Sequence, residues 1–231
     1  MALAAVVPAA SLVRPEPEVL ESVLGGIPRG ALTEIAGFGR TAFLYSLLAT
    51  ASSGEEFCAL IDAENAFDPV SAAAAGVRLS QVLWVRCGGN VEHAIKAADL
   101  LVQAGGFGMV AIDLGDTPVK VVQRIPLAAW FRLRQAIGNT KTVLVSLAQR
   151  IHARSCSALK IEMTRNRVVW RGRFPGRLLE GIRVTARSER NHRSRETALT
   201  MWRVGQVPDL PVIKKEVSGR SGTCPTVARR P

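Results

Sequence analysis

Several classes of protein are excluded by what this 231-residue chain lacks. Tyrosine occurs once and aromatic residues make up 5% of the positions, inside an otherwise ordinary globular composition with 48% apolar residues. The four cysteines (Cys58, Cys87, Cys156, Cys224) lie far apart and form no C-x-x-C pair. That spacing argues against a bound metal and a disulfide framework, and makes the cytoplasm the expected compartment. No apolar run reaches the roughly 18 residues that a membrane span requires, so no membrane association is expected. The stretch 1–13 is apolar, but no Lys or Arg precedes it, and a secretory signal requires such a charge. Residues 1–17 therefore read as a flexible or docking arm. Of the three histidines, His192 has no metal-ligand company, His93 and His152 read as ordinary surface or core residues, and the spacing suggests no Ser-His-Asp or Cys-His arrangement.

Acidic residues are scarce in one part of the chain only. Residues 1–140 hold 10 Lys/Arg and 13 Asp/Glu, whereas residues 141–231 hold 20 Lys/Arg and 6 Asp/Glu, so the net charge of +11 is the sum of −3 and +14. A basic segment on a near-neutral core points to a polyanion, most often nucleic acid, although a solvated face or a basic tail has the same composition.

The core reads as strand–helix alternation. Short runs that are apolar on both faces occur at 31–36, 57–61, 82–85, 109–112 and 142–147, the pattern of buried parallel strands. Between them lie helix candidates at 41–51, 69–75, 91–104 and 126–137. Asp68 and Asn90 stand at N-cap positions, Pro69 stands at the first helical position, and Gly105-Gly106 ends the third helix. The expected fold is α/β, a doubly wound, mainly parallel sheet. After residue 149 the texture changes: 158–163 and 168–171 alternate apolar and polar residues around Thr164-Arg165-Asn166 and predict an antiparallel hairpin. Residues 178–186 read as one further strand and 187–195 as an exposed loop. The Pro-, Gly-, Ser- and Arg-rich stretch 205–231 is expected to be a basic, largely disordered tail beyond a core spanning 18–204.

Four segments carry candidate chemistry. The first strand ends in Ile35-Ala36-Gly37-Phe38-Gly39-Arg40-Thr41. A phosphate loop has the form G-x-x-x-x-G-K-[ST], in which backbone N–H groups wrap the phosphates, Lys contacts the β and γ phosphates and the hydroxyl holds magnesium. Here Gly37 and Gly39 are separated by one residue, Arg40 replaces Lys and Thr41 keeps the hydroxyl. Alone, this stretch also serves as a plain strand-to-helix turn. In the second segment, Glu64 sits past a strand end, where a carboxylate can orient attacking water, and Asp68 is either a ligand contact or simply a helix cap. The third ends in Asp113, placed as a Walker B acid that helps hold Mg²⁺ would be. The fourth ends in Gln149, positioned to sense a terminal phosphate.

Order and spacing are more specific than any one segment. Gly25-Gly26-Ile27-Pro28-Arg29-Gly30, the phosphate-loop remnant and Ile61-Asp62-Ala63-Glu64-Asn65-Ala66-Phe67-Asp68-Pro69 follow one another in turn. Ala75-Gly76-Val77, Asp99-Leu100-Leu101-Val102, Asp113, Gln149 and Ala158-Leu159-Lys160 then follow, and this succession, over residues 18–187, resembles the RecA recombinase family. The resemblance implies that Glu64 matches the water-activating glutamate, Asp68 an adenine-side contact, Asp113 the Walker B acid and Gln149 the residue that couples ATP to a DNA loop. Gly37, Gly39, Arg40 and Thr41 match the phosphate loop, with ATP and Mg²⁺ as weakened cofactors.

The departures are informative. The connection 114–123 is compact where the family has its first DNA loop, and only 151–157 stand where the second should be. Strand exchange by this chain is therefore not expected, and Glu64 reads as vestigial. A short, basic member with an eroded phosphate loop resembles the ImuA accessory proteins of bacterial mutagenesis cassettes. That resemblance implies a nucleoid-associated role in SOS-induced, error-prone translesion synthesis. It also implies an ImuB-like Y-family polymerase relative and an error-prone replicative-type polymerase as partners; the surviving core without working loops adds RecA itself, and the basic charge adds DNA. Alternatives are a DNA-dependent ATPase of the family and a protein-only SOS regulator resembling SulA-type division inhibitors. DNA contacts are expected from Arg150, Arg154, Arg171, Arg173, Arg187, Arg190, Arg193 and Arg195, with Trp170 and Phe174 interleaved; the alternative is a solvated sheet face.

Overall fold

The computed structural model describes residues 19–20, 26–54, 56–173, 176, 178–190, 193–203 and 214–215. The expected N-terminal arm, nearly all of the expected tail, Phe174 and His192 lie outside these residues. No helix among the described residues is long and apolar enough to cross a membrane.

Two short strands, β1 (Val19–Leu20) and β2 (Ile27–Pro28), form an antiparallel ribbon that leads into the main sheet. The sheet then takes β3 (Ala31–Gly37), β4 (Cys58–Asp62), β5 (Val82–Arg86), β6 (Met109–Asp113), β7 (Val143–Ala148), β8 (Leu159–Arg171), β9 (Leu178–Arg190), β10 (Arg193–Arg203) and β11 (Lys214–Lys215). Their order across the sheet is β11-β10-β9-β8-β3-β7-β6-β4-β5. The six strands from β8 to β5 run parallel, and β9, β10 and β11 are added antiparallel. The helices are α1 (Arg40–Ser53), α2 (Pro69–Ala74), α3 (Val91–Ala104), α4 (Val119–Val122) and α5 (Leu127–Ile137).

The parallel strands are apolar on both faces because each face is covered. Alternate side chains of a strand point to opposite sides. Leu60, Ala111 and Val145 thus join Phe43, Leu44 and Leu47 of α1 in one core layer. Their neighbours Ile61, Ile112 and Leu144 join Ala98 of α3 and Trp130, Leu133 and Ile137 of α5 in the other. This is the expected α/β architecture, and α2 and α3 begin at the expected caps. Asp68 accepts the Val70 and Ser71 N–H groups at 3.2 and 3.1 Å, and Asn90 accepts that of His93 at 3.0 Å.

Two sequence expectations beyond residue 157 are corrected. Thr164-Arg165-Asn166 is no turn: β8 runs unbroken from Leu159 to Arg171, with a register shift between Arg165 and Arg167. Asn166 takes the extra place of a bulge and donates to the Thr185 hydroxyl at 3.1 Å. A bulge and a turn favour similar residues, so composition alone does not separate them. The stretch 187–195 is no loop either: β9 continues to Arg190 and β10 starts at Arg193, with Arg190 and Arg193 paired. The arginines that suggested a loop are positions on paired strands, with Arg187, Arg193 and Arg195 exposed and Arg190 half-buried. The expected hairpin is thus a larger antiparallel extension, in which β8 pairs with β9 over its whole length.

Candidate functional site

The carboxyl ends of parallel strands in an open α/β sheet are where such folds bind ligands. Here those ends bring together Gly37 of β3, Asp62 of β4, Asp113 of β6 and Gln149 just beyond β7.

Only Phe38 and Gly39 separate β3 from α1. Gly37 has φ +92°, and a Cβ on it would collide with the Met163 carbonyl oxygen of β8. Phe38 N–H donates to that same oxygen at 2.9 Å. The turn is therefore pressed onto the neighbouring strand, and one of its amides is committed to protein. Gly39 is the N-cap of α1, in the left-handed region at φ 84°, with no side-chain cap.

Arg40 folds over this turn. Its guanidinium donates to the Gly37 carbonyl at 3.2 Å and to the Gly115 carbonyl at 2.7 Å, and it pairs with Asp116 at 3.2 Å. The cation that replaces the phosphate-loop Lys is thus bound by the loop that follows β6. Thr41 is exposed at the start of α1.

Asp113 accepts the Gly115 N–H at 2.8 Å. Burial pushes its carboxyl up to about 6, and nearby Asp62 adds to the shift while the Gly115 bond and Arg40 oppose it. Glu64 is half-buried and accepts the hydroxyl of buried Thr117 at 2.9 Å. Asp68 is exposed and caps α2; its bonds from Ser71, hydroxyl first and then backbone, hold its carboxyl below the ordinary range. Gln149 is exposed and borders a small cleft with Gln123 and His152. Among the described residues, no three of His, Cys, Asp and Glu converge as a metal-binding group.

The arginines expected to touch DNA do not form one groove. Arg150 and Arg154 lie exposed in the connection after β7, and Arg173 is exposed beyond the end of β8. By register, Arg190 and Arg193 stand level with Leu159, which is level with Thr33 near the start of β3. Arg171 lies eight positions past Met163, which is level with Gly37. At about 3.3 Å per residue, the two ends of the antiparallel extension are roughly 40 Å apart. Arg187 and Arg195 belong to the lower end, where Arg187 faces Glu162 and Glu196 across the strands and donates to Ser194 at 3.0 Å.

Two features were not anticipated from the sequence. Asp62 is buried at the end of β4 and accepts the N–H groups of Ala66 and Phe67 and the indole N–H of Trp84, at 2.9, 3.0 and 3.1 Å. It shapes the turn that carries Glu64. Glu34 is fully buried on β3 and accepts the backbone N–H groups of His152 and Ala153 and the Ser157 hydroxyl, at 2.7, 2.6 and 2.6 Å. The His152 ring meets the Ser146 hydroxyl through Nε2 at 3.0 Å, while Nδ1 lies 3.1 Å from the Arg150 carbonyl and 3.4 Å from Glu34. A Ser-His-Glu chain is thus present in space, contrary to what residue spacing suggested. Ser146 has no exposed surface, so the chain acts as an internal lock for the connection after β7 and offers no nucleophile to a substrate. The sequence signal was a lone acid inside an apolar strand, because a buried carboxylate requires partners.

Comparison with known families matches residues 19–152 to the model described as the RecA N-terminal domain, more than half of the chain. The match ends at His152, before β8 and the antiparallel extension.

Proposed function

Because the chain belongs to the RecA family, we propose that it is a member without ATP-driven strand exchange, an accessory protein of SOS-induced DNA repair and error-prone translesion synthesis. In this reading it resembles the ImuA group and works by binding DNA and partner proteins. The partners are an ImuB-like Y-family relative, an error-prone replicative-type polymerase and RecA itself. The observation that carries the reading is the position of Arg40, whose guanidinium spans the Gly37 carbonyl, the Gly115 carbonyl and Asp116 across the turn where phosphates would sit.

A magnesium triphosphate does not fit the residues present. A phosphate cradle needs a run of free amides, and here the two-residue turn spends the Phe38 amide on Met163. Moving Gly37 away from β8 to open the turn would break that contact. Glu64, the residue in the water-activating position, is held by Thr117. What remains is a RecA-like sheet with a basic extension.

Calorimetric titration with Mg-ATP tests the reading. No saturable heat is expected up to millimolar nucleotide; tight binding that is lost in Arg40→Ala or Thr41→Ala overturns it. Addition of the protein to a RecA strand-exchange reaction tests the partner. The expected result is inhibition or remodelling, and unchanged exchange at saturating protein removes RecA from the scheme.

A second reading, a DNA-dependent ATPase, is favoured by the gathering of Glu64, Asp113 and Gln149 at one sheet edge. It predicts turnover with single-stranded DNA that disappears in Glu64→Gln.

A further inference from the structure

The antiparallel extension has a lower half beside the sheet and an upper half beyond it. Gly37, the last residue of β3, pairs with Met163, and β8 continues for eight more residues to Arg171. The strand pair β8–β9 thus stands roughly 25 Å past the edge where β3 stops. This arm is braced at its base. Phe38 N–H bonds to the Met163 carbonyl, and the Arg165 guanidinium lies 5.6 Å from the centre of the Phe38 ring. The shortened phosphate turn serves here as a buttress for the arm.

Charge is graded along the arm. The lower rows mix signs: Lys160 faces Glu189, and Arg187 stands between Glu162 and Glu196. In the upper part, residues 165–173 hold Arg165, Arg167, Arg171 and Arg173 and no acid. Alternation along β8 puts Arg165, level with buried Val184, on the same face as Val168, level with Ile182, and so on the same face as Trp170, whereas Arg167 is on the opposite face. Near the top, Trp170 is 53% exposed. An exposed indole on the same strand face as Arg165 offers a face to an unpaired base.

We infer that the upper half of the β8–β9 arm, with Arg165 and Trp170 on one strand face and Arg173 just beyond the end of β8, is a contact for single-stranded nucleic acid. The arginines take the backbone phosphates and Trp170 stacks on one base. The inference rests on the DNA-binding part of the function proposed above and gives that binding a place. It moves the contact away from the connection after β7 and from the Arg190–Arg193 end. Single-stranded DNA and RNA share this chemistry, and the test carries an arm for each.

The test is fluorescence anisotropy of labelled 20-mers of single-stranded DNA, single-stranded RNA and duplex DNA, titrated with the full chain at two salt concentrations. Trp170→Ala should weaken single-strand binding about tenfold and leave duplex binding nearly unchanged, because a paired base has no free face. The double variant Arg165→Glu/Arg173→Glu should weaken binding more and flatten its salt dependence by roughly 0.7 per lost phosphate contact. Arg165→Lys should keep most of the affinity, and a thermal melt of each variant confirms that the fold is intact. If the wild type binds and the arm variants bind equally well while Arg150→Glu/Arg154→Glu does not, the arm assignment is overturned and DNA binding stands. If the wild type binds no nucleic acid, both fall. Equal loss on duplex and single strands in Trp170→Ala overturns the stacking role. Preference for the RNA 20-mer over the DNA 20-mer identifies RNA as the source of the strand and removes the DNA part of the proposed function.

Discussion

Glu34 Oε1 accepts the backbone N–H of His152 at 2.7 Å, although 118 residues separate them in sequence. The same oxygen takes the Ala153 N–H at 2.6 Å, and Oε2 takes the Ser157 hydroxyl at 2.6 Å. One buried carboxylate thus closes the connection between β7 and β8. Removing it strands two backbone donors and a hydroxyl in the interior, where each uncompensated group costs about 1–3 kcal/mol. Glu34→Ala should therefore lower stability by about 3–5 kcal/mol in urea unfolding. Glu34→Gln, which keeps the shape but offers one acceptor oxygen for three donors, should lose less. A loss below about 1 kcal/mol in Glu34→Ala would show that water replaces the carboxylate freely.

His152 gives the same lock a pH dependence. Burial lowers its pKa below the ordinary 6.5, with the Glu34 carboxylate opposing the shift. The folded state therefore holds the imidazole neutral. A group with a lowered cationic pKa adds no penalty above its unfolded value. Stability is lost as pH falls below about 6.5 towards the folded value, because the unfolded chain takes up the proton first. Unfolding free energies between pH 7.5 and 5 should decline more steeply in the wild type than in His152→Gln. Parallel profiles would place the acid sensitivity elsewhere.

Much of the parallel half of the fold was legible in the sequence, and the antiparallel half was legible only in part. Apolar runs such as 109–112, capped helices such as 91–104 and the Asp68-Pro69 start are local signals, and each element forms where those signals lie. Asn166 and the run 187–195 were misread because polar, Arg-rich sequence on an exposed strand has the composition of a turn or loop, and only pairing with β9 and β10 separates them. The positions of Gly37, Glu64, Asp113 and Gln149 near one sheet edge follow from strand order. What holds them does not: the Glu64–Thr117 bond and the Arg40 bridge to Gly115 span 53 and 75 residues, and no local pattern encodes them.

Asp113 is the acid whose charge the fold resists. Its carboxyl is raised from 3.8 to about 6, chiefly by burial. The sign is the reverse of that for a salt-bridged aspartate: the penalty is absent below about 3.8, grows as pH rises, and is complete above about 6. Asparagine keeps an oxygen for the Gly115 N–H and removes the charge. Asp113→Asn should gain about 1–3 kcal/mol at pH 7.5 and show no gain near pH 4, at roughly 1.4 kcal/mol per pKa unit less the lost attraction to Arg40. Chemical unfolding at the two pH values reads the difference; equal gains at both would mean that packing, not charge, sets it.

Gly37 separates a tolerant turn from an intolerant one. At φ +92° any side chain is strained, at a cost of about 1 kcal/mol. A Cβ there also collides with the Met163 carbonyl, the acceptor of the Phe38 amide, so the substitution must push β8 off β3 at the base of the arm. Gly106 is the control: φ is +82° and nothing lies within 4 Å of a Cβ built on it. Gly106→Ala should therefore lose only the conformational cost of about 1 kcal/mol, whereas Gly37→Ala should lose at least about 3 kcal/mol. It should also disturb the arm, seen as accelerated amide exchange across residues 161–165. If the two variants unfold at the same urea concentration, the turn is not pressed onto β8, and the argument that it leaves no room for phosphates loses its footing.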